Sequence, residues 1–447
     1  MSASKSGALA GGTPEDPYAP LRSRGYLVLL VFCGLVGVPL AALAYGFLVG
    51  VDHLQTLLYQ NLPKALGFHG EPAWWPLPVL TVAGLLVAAA VRYLPGNGGH
   101  EPSGGLRTGD SPSTSELPGI LLAAVASLAL GAVIGPEAPL IALGGGLAKS
   151  AIRLVKPQVD VTAQQLVGAS GSFAAISALL GSPLLGAFLL MEAAGLGGAR
   201  LGLVLLPGLL ASGVGALVFV GLGSWTGFGA VSLTLPDLPQ VGHPTGPELG
   251  WALLIGLAAA AVGAGIRRGS VLLQKQVSRR RLLLSPLVGL LVGGLAVGYA
   301  EGSGKPSAEV LFSGQAAVGP LIAHSADYTV GALLLLIVCK ALGYCLSLSA
   351  FRGGPVFPAI FLGAAGGIAL SHLPGLPLVP GVAVGIGAMT VAMLRLPMTA
   401  VLLASLLLGK DGVTVMPLVV VGVVVSHVAS FRLTPKPRAS GAAPQAA

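Results

Sequence analysis

Two acidic residues stand out because they lie within strongly apolar stretches. Glu137 follows a Gly-Pro pair, and Glu192 lies near the end of an apolar segment that begins at Pro183. A carboxylate inside a membrane is costly and is a candidate functional group by default. Protonation of Glu137 would remove a negative charge that competes with a diffusing anion, so this residue could act as a gate. The simpler alternatives are a helix cap for Glu137 and an interfacial position near Arg200 for Glu192.

The segment around Glu137 is repeated later in the chain. Residues 135–144 and 354–363 both read G-P-x-x-P-x-I-x-L-G, at a separation of 219 residues (354 minus 135). A second similarity follows in the same order, between residues 182–187 and 396–401. Two matches in register predict two homologous halves.

The repeated Gly-Pro pair predicts helices that start abruptly. Proline suits the first turn of a helix because its missing N–H would be unpaired there anyway. The N–H groups that follow point out of the helix end, which carries about half a positive charge and binds anions well. We therefore expect two facing helix N-termini, whose donors are the N–H groups of Glu137, Ala138, Val356 and Phe357. The alternative is that both are ordinary helix starts packed inside the protein.

The composition indicates which kind of protein holds these segments. Of the 447 residues, 54% are hydrophobic and 9% are charged, with a mean hydropathy of +0.87. A soluble domain has about 25% charged residues, so the composition excludes an ordinary cytosolic enzyme, a disordered chain and a coiled coil. We predict an all-α polytopic membrane protein in a lipid bilayer. The net charge of +8 reflects basic residues near helix ends and does not indicate a nucleic acid partner.

The apolar runs and the basic residues together predict the organisation of the chain. Many runs are short and broken by Gly or Pro, which suggests tilted and broken helices that stop inside the membrane. Basic residues precede the first run, fill a predicted loop at 267–281 and follow the last run, which places both termini in the cytoplasm and the protein in the cell membrane. Because the linker between the halves lacks Lys and Arg, we expect two inverted-topology repeats. The predicted parts are a cytoplasmic tail 1–24, a first membrane half 25–222, an external linker 223–246, a second membrane half 247–430 and a cytoplasmic tail 431–447.

Other chemistry finds little support. The seven histidines are scattered and the three cysteines lie in apolar runs, so we expect no metal site and no cofactor. The sequence has no Ser/His/Asp set, H-E-x-x-H motif or Walker loop, which argues against an enzyme. Lys340 lies inside an apolar run and could pair with Glu137 or Glu192, help to hold anions, or snorkel to the interface.

Four segments together resemble the CLC family of chloride channels and proton-coupled chloride transporters. Residues 96–101 resemble its G-S-G-I-P-E segment, and residues 135–139 its G-R/K-E-G-P segment, whose Glu is the external gate. Residues 182–186 with Glu192 resemble its N-A-P-L-x-G…E-E helix, and residues 353–358 its G-G-x-F-x-P loop. The resemblance covers nearly all of residues 25–430.

The resemblance implies a homodimer with one anion pathway per subunit, gated by Glu137. A possible proton path would use Glu192. The implied partner is chloride or a similar inorganic anion, with protons as a possible second substrate. The implied anion-binding residues are Asn97, Gly98, Gly135, Ala138, Gly354, Val356 and Phe357.

Several departures from the family pattern fall in the implied anion site. Asn97 stands in place of the central serine, although its amide could still donate, and Pro136 replaces a basic residue. Pro355 removes one backbone N–H, which shifts the expected donors to Val356 and Phe357.

The implied proton path and central site are altered as well. Ala193 occupies the position of the acid that transfers protons in the family's exchangers, and the chain after Phe431 has no tyrosine for the central site. We therefore expect passage of small inorganic anions, chloride in the first place, through a CLC-type channel or a proton-coupled antiporter. Ala193 favours passive or weakly coupled passage, with Glu192 as a substitute proton donor. The alternatives are a secondary transporter of fluoride or a small organic anion, and, in other classes, a cation transporter, a membrane-embedded enzyme or a structural protein.

Overall fold

The described part of the chain is built almost entirely from helices. The computed structural model describes residues 19–106, 111–195, 199–226, 235 and 242–434. Within these ranges there are short 3-10 and π turns but no β-strand. The α-helices are α1 (Arg24–Thr56), α2 (Leu62–Ala65), α3 (Pro76–Tyr93), α4 (Leu117–Ala129), α5 (Glu137–Val155), α6 (Val161–Leu180), α7 (Pro183–Ala194), α8 (Ala199–Thr226), α9 (Gly246–Arg279), α10 (Arg281–Ser303), α11 (Val318–Ala323), α12 (Val330–Ala350), α13 (Val356–Ser371), α14 (Leu378–Leu394), α15 (Pro397–Leu407) and α16 (Gly412–Leu433).

Many of these helices have the length and composition of membrane spans. Among the described residues, nine helical segments are long and apolar enough to cross a membrane. The apolar helices α4, α7, α13, α14 and α15 have only 10–17 residues, fewer than the roughly 20 that a perpendicular span needs. A helix can end inside the bilayer where protein, rather than lipid, covers the backbone groups that lose their helical hydrogen bonds. The prediction of an all-α multi-pass membrane protein with broken helices is confirmed.

The sequence repeat is visible in how two helix pairs pack. Helices α5 and α6 approach through Gly144 and Gly171, where a Cβ atom on either glycine would overlap the other's carbonyl oxygen. Helices α13 and α14 approach in the same way through Gly363 and Gly385. Small residues allow such close backbone contact between membrane helices. The second glycine pair lies 219 and 214 residues after the first, so one packing arrangement occurs twice.

The turn after each of these pairs is also repeated. Gly181 ends α6 with φ 63° and ψ 11°, and Arg395 ends α14 with φ 61° and ψ 29°. Each residue is in the left-handed conformation, and a helix begins with a proline two residues later, at Pro183 and Pro397. This conformation costs a residue other than glycine about 1–2 kcal/mol, so the backbone path is kept in the second half against a local penalty.

Helices extend into the start of the predicted linker and through one predicted loop. Helix α8 continues to Thr226, four residues into the predicted linker, and most of that linker and of the two predicted tails lies outside the described residues. The loop predicted at 267–281 is wrong, because α9 continues to Arg279 and α10 begins at Arg281. No Gly or Pro occurs from Ser270 to Ser285, and the Leu, Arg, Lys and Gln found there favour a helix.

Candidate functional site

The Gly-Pro segments of the two repeats meet. The Gly135 N–H donates to the Gly354 carbonyl at 2.8 Å, and the Gly354 N–H donates to the Gly135 carbonyl at 2.6 Å. The prolines that follow have similar backbones, with φ −81° and ψ 0° at Pro136 and φ −95° and ψ 1° at Pro355. Helices α5 and α13 each start at the next residue, so two helix N-termini begin beside one shared antiparallel contact.

The Glu137 carboxylate lies between these two helix starts. The residue is fully buried, and its Oε1 accepts a hydrogen bond from the Phe357 N–H at 2.9 Å. Its Oε2 is buried and has no hydrogen-bond partner among the described residues. The N-terminus of a helix stabilises negative charge, so a carboxylate from α5 occupies an anion-type position at the start of α13.

Two glycines leave room for this carboxylate. A Cβ atom at Gly354 would overlap Glu137 Oε2 and would lie 2.8 Å from its Cδ. A Cβ atom at Gly135 would overlap both carboxylate oxygens and would lie 2.6 Å from Cδ. Side chains at either position would therefore force the Glu137 carboxylate to move, and the predicted site residues Gly135 and Gly354 act here by their lack of a side chain.

The predicted N–H donors lie close together at the two helix starts. One of them, the Phe357 N–H, donates a hydrogen bond to Glu137. Val356 and Phe357 are buried, while Ala138 is partly exposed. The first N–H groups of a helix have no partner within the helix, and the Phe357 N–H finds its partner in Glu137. Binding of a diffusing anion by the N–H groups of Glu137, Ala138, Val356 and Phe357 stays a prediction.

Three polar side chains that the sequence reasoning missed support the broken backbone. The Tyr344 hydroxyl donates to the Pro355 carbonyl at 2.6 Å. Ser347 Oγ accepts from the Val133 N–H, and Ser127 Oγ accepts from the Arg352 N–H, both at 3.0 Å. Polar backbone that leaves a helix inside a membrane must be paired in this way. Tyr344 and Ser347 are three residues apart on α12, a spacing that could have identified them because it places both on one helix face.

The predicted residues Asn97 and Gly98 lie beside a further missed residue, Arg352. Asn97 is exposed, has a left-handed φ of 51°, and accepts from Arg352 Nε through its backbone carbonyl at 3.3 Å. A Cβ atom on buried Gly98 would lie 3.6 Å from Arg352 Cγ. Arg352 comes two residues before Gly354. It therefore joins the segment at residues 96–101 to the segment at residues 353–358. The signal in the sequence is a single charge between an apolar helix and a Gly-Gly pair.

Glu192 and Lys340 have other partners. Glu192 accepts from the Met398 N–H at 3.0 Å and from the Thr399 N–H and hydroxyl at 2.8 and 2.7 Å, so it caps the start of α15. The expectation that Lys340 pairs with Glu137 or Glu192, or snorkels, is wrong. Its Nζ is fully buried and donates to backbone carbonyls, those of Glu309, Leu311 and Phe312, at 2.9, 2.8 and 3.3 Å. These three carbonyls belong to an irregular segment, residues 309–312. Hydrophobic periodicity does not predict the position of such a segment.

Clusters of metal-binding side chains are predicted to be absent. No group of three or more His, Cys, Asp or Glu side chains that could hold one occurs among the described residues.

These features define a multi-pass membrane protein in which two helix N-termini surround a buried carboxylate. The model of the family described as voltage gated chloride channel matches residues 79–430. The chain therefore belongs to this family, as the resemblance to CLC proteins predicts.

Individual relatives agree with this membership. The chain is 28% identical over 360 residues to the putative ion-transport protein YfeO of Escherichia coli (strain 55989 / EAEC), covering 80% of this chain and 82% of the relative. Its fold is similar to a slow cyanobacterial Cl⁻/H⁺ antiporter, with a TM-score of 0.75, 20% identity, and coverage of 92% and 95% of the two chains. It is also similar to a CLC-type fluoride/proton antiporter, with a TM-score of 0.63, 16% identity, and coverage of 91% and 96%.

Proposed function

We propose that the chain carries small inorganic anions, chloride in the first place, across the membrane along a pathway gated by Glu137. Membership of the voltage gated chloride channel family supports passage of anions by a CLC-type channel or antiporter. The observation that carries the proposal is the buried Glu137 carboxylate on the Phe357 N–H, between two helix starts. Fluoride or a small organic anion is the alternative substrate, and no enzymatic reaction is proposed.

The gate works by competition for one position. While Glu137 is ionised, it holds the donor at the start of α13 and leaves no place there for a second anion. Protonation removes its charge and weakens its hold, because a neutral acid gains less from a helix N-terminus than a carboxylate does. The anion-binding residues proposed around the vacated position are Gly135, Ala138, Gly354, Val356 and Phe357. Asn97 and Gly98, beside Arg352, are proposed at the entrance.

Release of chloride, nitrate and fluoride from proteoliposomes, with and without a pH gradient, tests the proposal. Wild-type flux is expected to rise as the pH falls. Glu137→Gln cannot ionise, so its flux should lose this pH dependence, whereas Glu301→Gln, at an exposed position near the end of α10, should keep it. Full pH dependence in Glu137→Gln would show that the gate lies elsewhere, and wild-type protein that releases none of the three anions would overturn the proposed function.

The same experiment separates a channel from a proton-coupled antiporter. An antiporter would move protons against the anion, and a pH gradient would drive anion flux. Glu192 is the other carboxylate within a strongly apolar stretch, and we propose it for the proton path. A pH gradient that changes the rate of release but never drives anions against their own concentration gradient would favour the passive channel.

We propose further that the protein is a homodimer with α7 and α15 at the interface. Both helices are too short to span a bilayer, and they contact each other through Glu192. Leu184 on α7 is 63% exposed and Met398 on α15 is 56% exposed. Helices that end inside the bilayer are stable only where other protein segments pack against their ends. Light scattering in detergent should give a dimer that Leu184→Trp weakens and that Leu257→Trp, equally apolar but on α9, does not; unchanged dimers in Leu184→Trp would place the interface elsewhere.

The two halves and their orientation remain part of the proposal. We infer a first membrane half at 25–222 and a second at 247–430, with the linker 223–246 outside and both termini in the cytoplasm of the cell. The repeated glycine crossings and the basic residues of α9 support this arrangement. Cysteines added near either terminus should react only with a membrane-permeant reagent in whole cells.

A further inference from the structure

Helix α9 is longer than a membrane span. It has 34 residues, about 51 Å of helix, whereas the hydrocarbon core of a bilayer is about 30 Å thick. Its uncharged part, residues 249–266, has the length of one span and ends where basic residues begin. The uncharged part of α10, residues 282–300, starts directly after Arg281. The stretch 267–281 therefore joins two spans at one side of the membrane, and we place it in the headgroup layer.

This stretch is basic and has no acidic residue to balance it. It contains six Lys and Arg residues, a quarter of the 24 in the chain, and no Asp or Glu occurs between Glu248 and Glu301. Each Lys or Arg near an anionic membrane surface strengthens binding to it by about five-fold. The concentration of charge therefore favours a partner that is negatively charged.

Two of the six basic residues bind other parts of the protein. Arg267 Nη1 donates to the Ala392 carbonyl, and Arg281 Nη2 donates to the Glu101 carboxylate at 3.1 Å. Arg267 lies on the side of α9 that includes the buried Val277. These two charges therefore serve contacts within the protein, and the remaining four are left for a partner outside it.

The opposite side of α9 has a row of four exposed residues, which we call the basic face: Arg268, Leu272, Lys275 and Arg279. Their spacing of four, three and four residues places them on one side of a helix. All four are exposed, Leu272 to 63%. None of the three basic side chains forms an ion pair with another described residue. An exposed leucine among Lys and Arg is typical of a helix at the membrane interface.

The corner between α9 and α10 continues this pattern. Arg280 is exposed, and Leu283, near the start of α10, is 70% exposed. Exposure of leucine to water is unfavourable, whereas contact with lipid acyl chains is not. A soluble acidic protein would satisfy the charges alone, so the leucines favour a lipid as the partner.

We propose that the basic face of α9, with Arg280 and Leu283 at the corner, binds the headgroups of anionic phospholipids. Its guanidinium and ammonium groups donate charge-assisted hydrogen bonds to the lipid phosphates. Leu272 and Leu283 contact the acyl chains next to those headgroups. This surface lies on the outside of α9, and its partner does not depend on which solute the protein carries.

The test is the Kd of phosphatidylglycerol and of phosphatidylcholine for the full-length protein in detergent, measured by native mass spectrometry. The wild type should bind phosphatidylglycerol at least about ten-fold more tightly, since only this lipid has a net negative charge. A triple variant with Arg268→Gln, Lys275→Gln and Arg279→Gln should lose this preference.

The matched control is a second triple variant, with Lys64→Gln, Lys156→Gln and Lys410→Gln. It removes the same charge from three exposed positions elsewhere on the protein, so its Kd for phosphatidylglycerol should stay within about two-fold of wild type. A loss of equal size in both triple variants would show that net charge alone attracts the lipid, and would overturn the basic face as its binding surface.

The other occupants of this surface give different results. Equal Kd values for the two lipids in the wild type would contradict the proposal. Displacement of phosphatidylglycerol by inorganic phosphate, at an ionic strength where sodium chloride does not displace it, would indicate a site for free anions instead. Binding of polyglutamate without any preference between the two lipids would indicate an acidic protein.

Folding of the variants is checked by thermal unfolding in detergent. The three substituted residues of the basic face are exposed, so the triple variant should melt at the wild-type temperature. If it does not fold, Lys275→Gln alone should weaken phosphatidylglycerol binding by about five-fold, as expected for one charge near the headgroups. An unchanged Kd in that folded single variant would equally overturn the proposal.

Discussion

Gly135 and Gly354 each donate a backbone N–H to the other's carbonyl, at 2.8 and 2.6 Å. The two residues are equivalent in the sequence repeat, so this reciprocal pair is what a local two-fold relation between the halves produces. The next positions break the symmetry, because Glu137 in the first half corresponds to Val356 in the second. One half supplies the carboxylate and the other supplies the donor, Phe357 N–H, that holds it.

The first prediction concerns the space at Gly354. In Gly354→Ala the new methyl group would overlap the Glu137 carboxylate, which lies at the end of a flexible side chain and can move away. We expect a displaced gate, with higher anion flux at neutral pH and a weaker dependence of flux on pH. The measurement is chloride release from proteoliposomes across a pH series.

Gly366→Ala is the matched control for this change. Gly366 lies on the same helix, α13, and a Cβ atom there would meet nothing within 4 Å. Its flux and pH dependence should equal those of the wild type. If Gly354→Ala also behaves like the wild type while remaining folded, the carboxylate is not held where the structure places it.

The second prediction concerns the capping contact of Glu192. Glu192→Ala removes the acceptor of three hydrogen bonds at the start of α15 and should lower the free energy of unfolding by about 1–2 kcal/mol, as loss of a helix cap does. Glu192→Gln keeps one carbonyl acceptor and should lose less. Unfolding in detergent measures both, with Glu301→Ala as the exposed control. Equal stability of Glu192→Ala and wild type would contradict the cap, and loss of proton-driven flux in a stable Glu192→Gln would add a proton role.

The third prediction concerns Lys340. Its ammonium group donates to three backbone carbonyls of the segment 309–312 and also lies 4.3 Å from the centre of the Phe361 ring. Lys340→Met would leave these carbonyls without their donor, at a cost of at least about 2 kcal/mol. We expect a lower melting temperature for Lys340→Met, while Lys410→Met, at an exposed position, should change stability by less than about 0.5 kcal/mol. Matching melting temperatures for the two variants would rule out this supporting role.

Local chemistry is what the sequence predicts well. The membrane class follows from composition, and the helix starts at Glu137 and Val356 follow from Gly-Pro pairs, whose effect depends on neighbouring residues only. The close crossings at Gly144 and Gly363 lie within the repeated motif, but their partners could not be identified from spacing alone. In the same way, the basic stretch after residue 266 has the charge of a connecting loop, but in the structure it forms the surface of the continuing helix α9.

Contacts between distant segments are what the sequence does not predict. Arg352 meets Asn97 across 255 positions of the chain, and Ser127 meets Arg352 across 225. Lys340 lies in an apolar run, where a carboxylate partner is the usual means of burying a charge. Backbone carbonyls serve equally well here, and their positions depend on how the segment before α12 folds over that helix.

The last prediction concerns pH and stability at Glu71, which lies between α2 and α3, outside the spans. Burial raises the pKa of Glu71 above its ordinary value of 4.5, against the opposing effect of the Ser307 hydroxyl, which donates to it at 2.7 Å. The folded state therefore keeps the proton to a higher pH than the unfolded state does. Its contribution to stability is fully present below pH 4.5 and is lost as the pH rises through the folded pKa.

Glu71→Gln isolates this contribution, because a glutamine keeps the shape and an acceptor for Ser307 but does not titrate. The difference in melting temperature between Glu71→Gln and wild type should grow in favour of the variant as the pH rises from about 4 to about 8. Glu301→Gln, exposed near the end of α10, should follow the wild-type curve. Parallel curves for wild type and Glu71→Gln over this range would show that the Glu71 carboxyl has the same proton affinity in the folded and unfolded states, and hence that burial does not disfavour its charge.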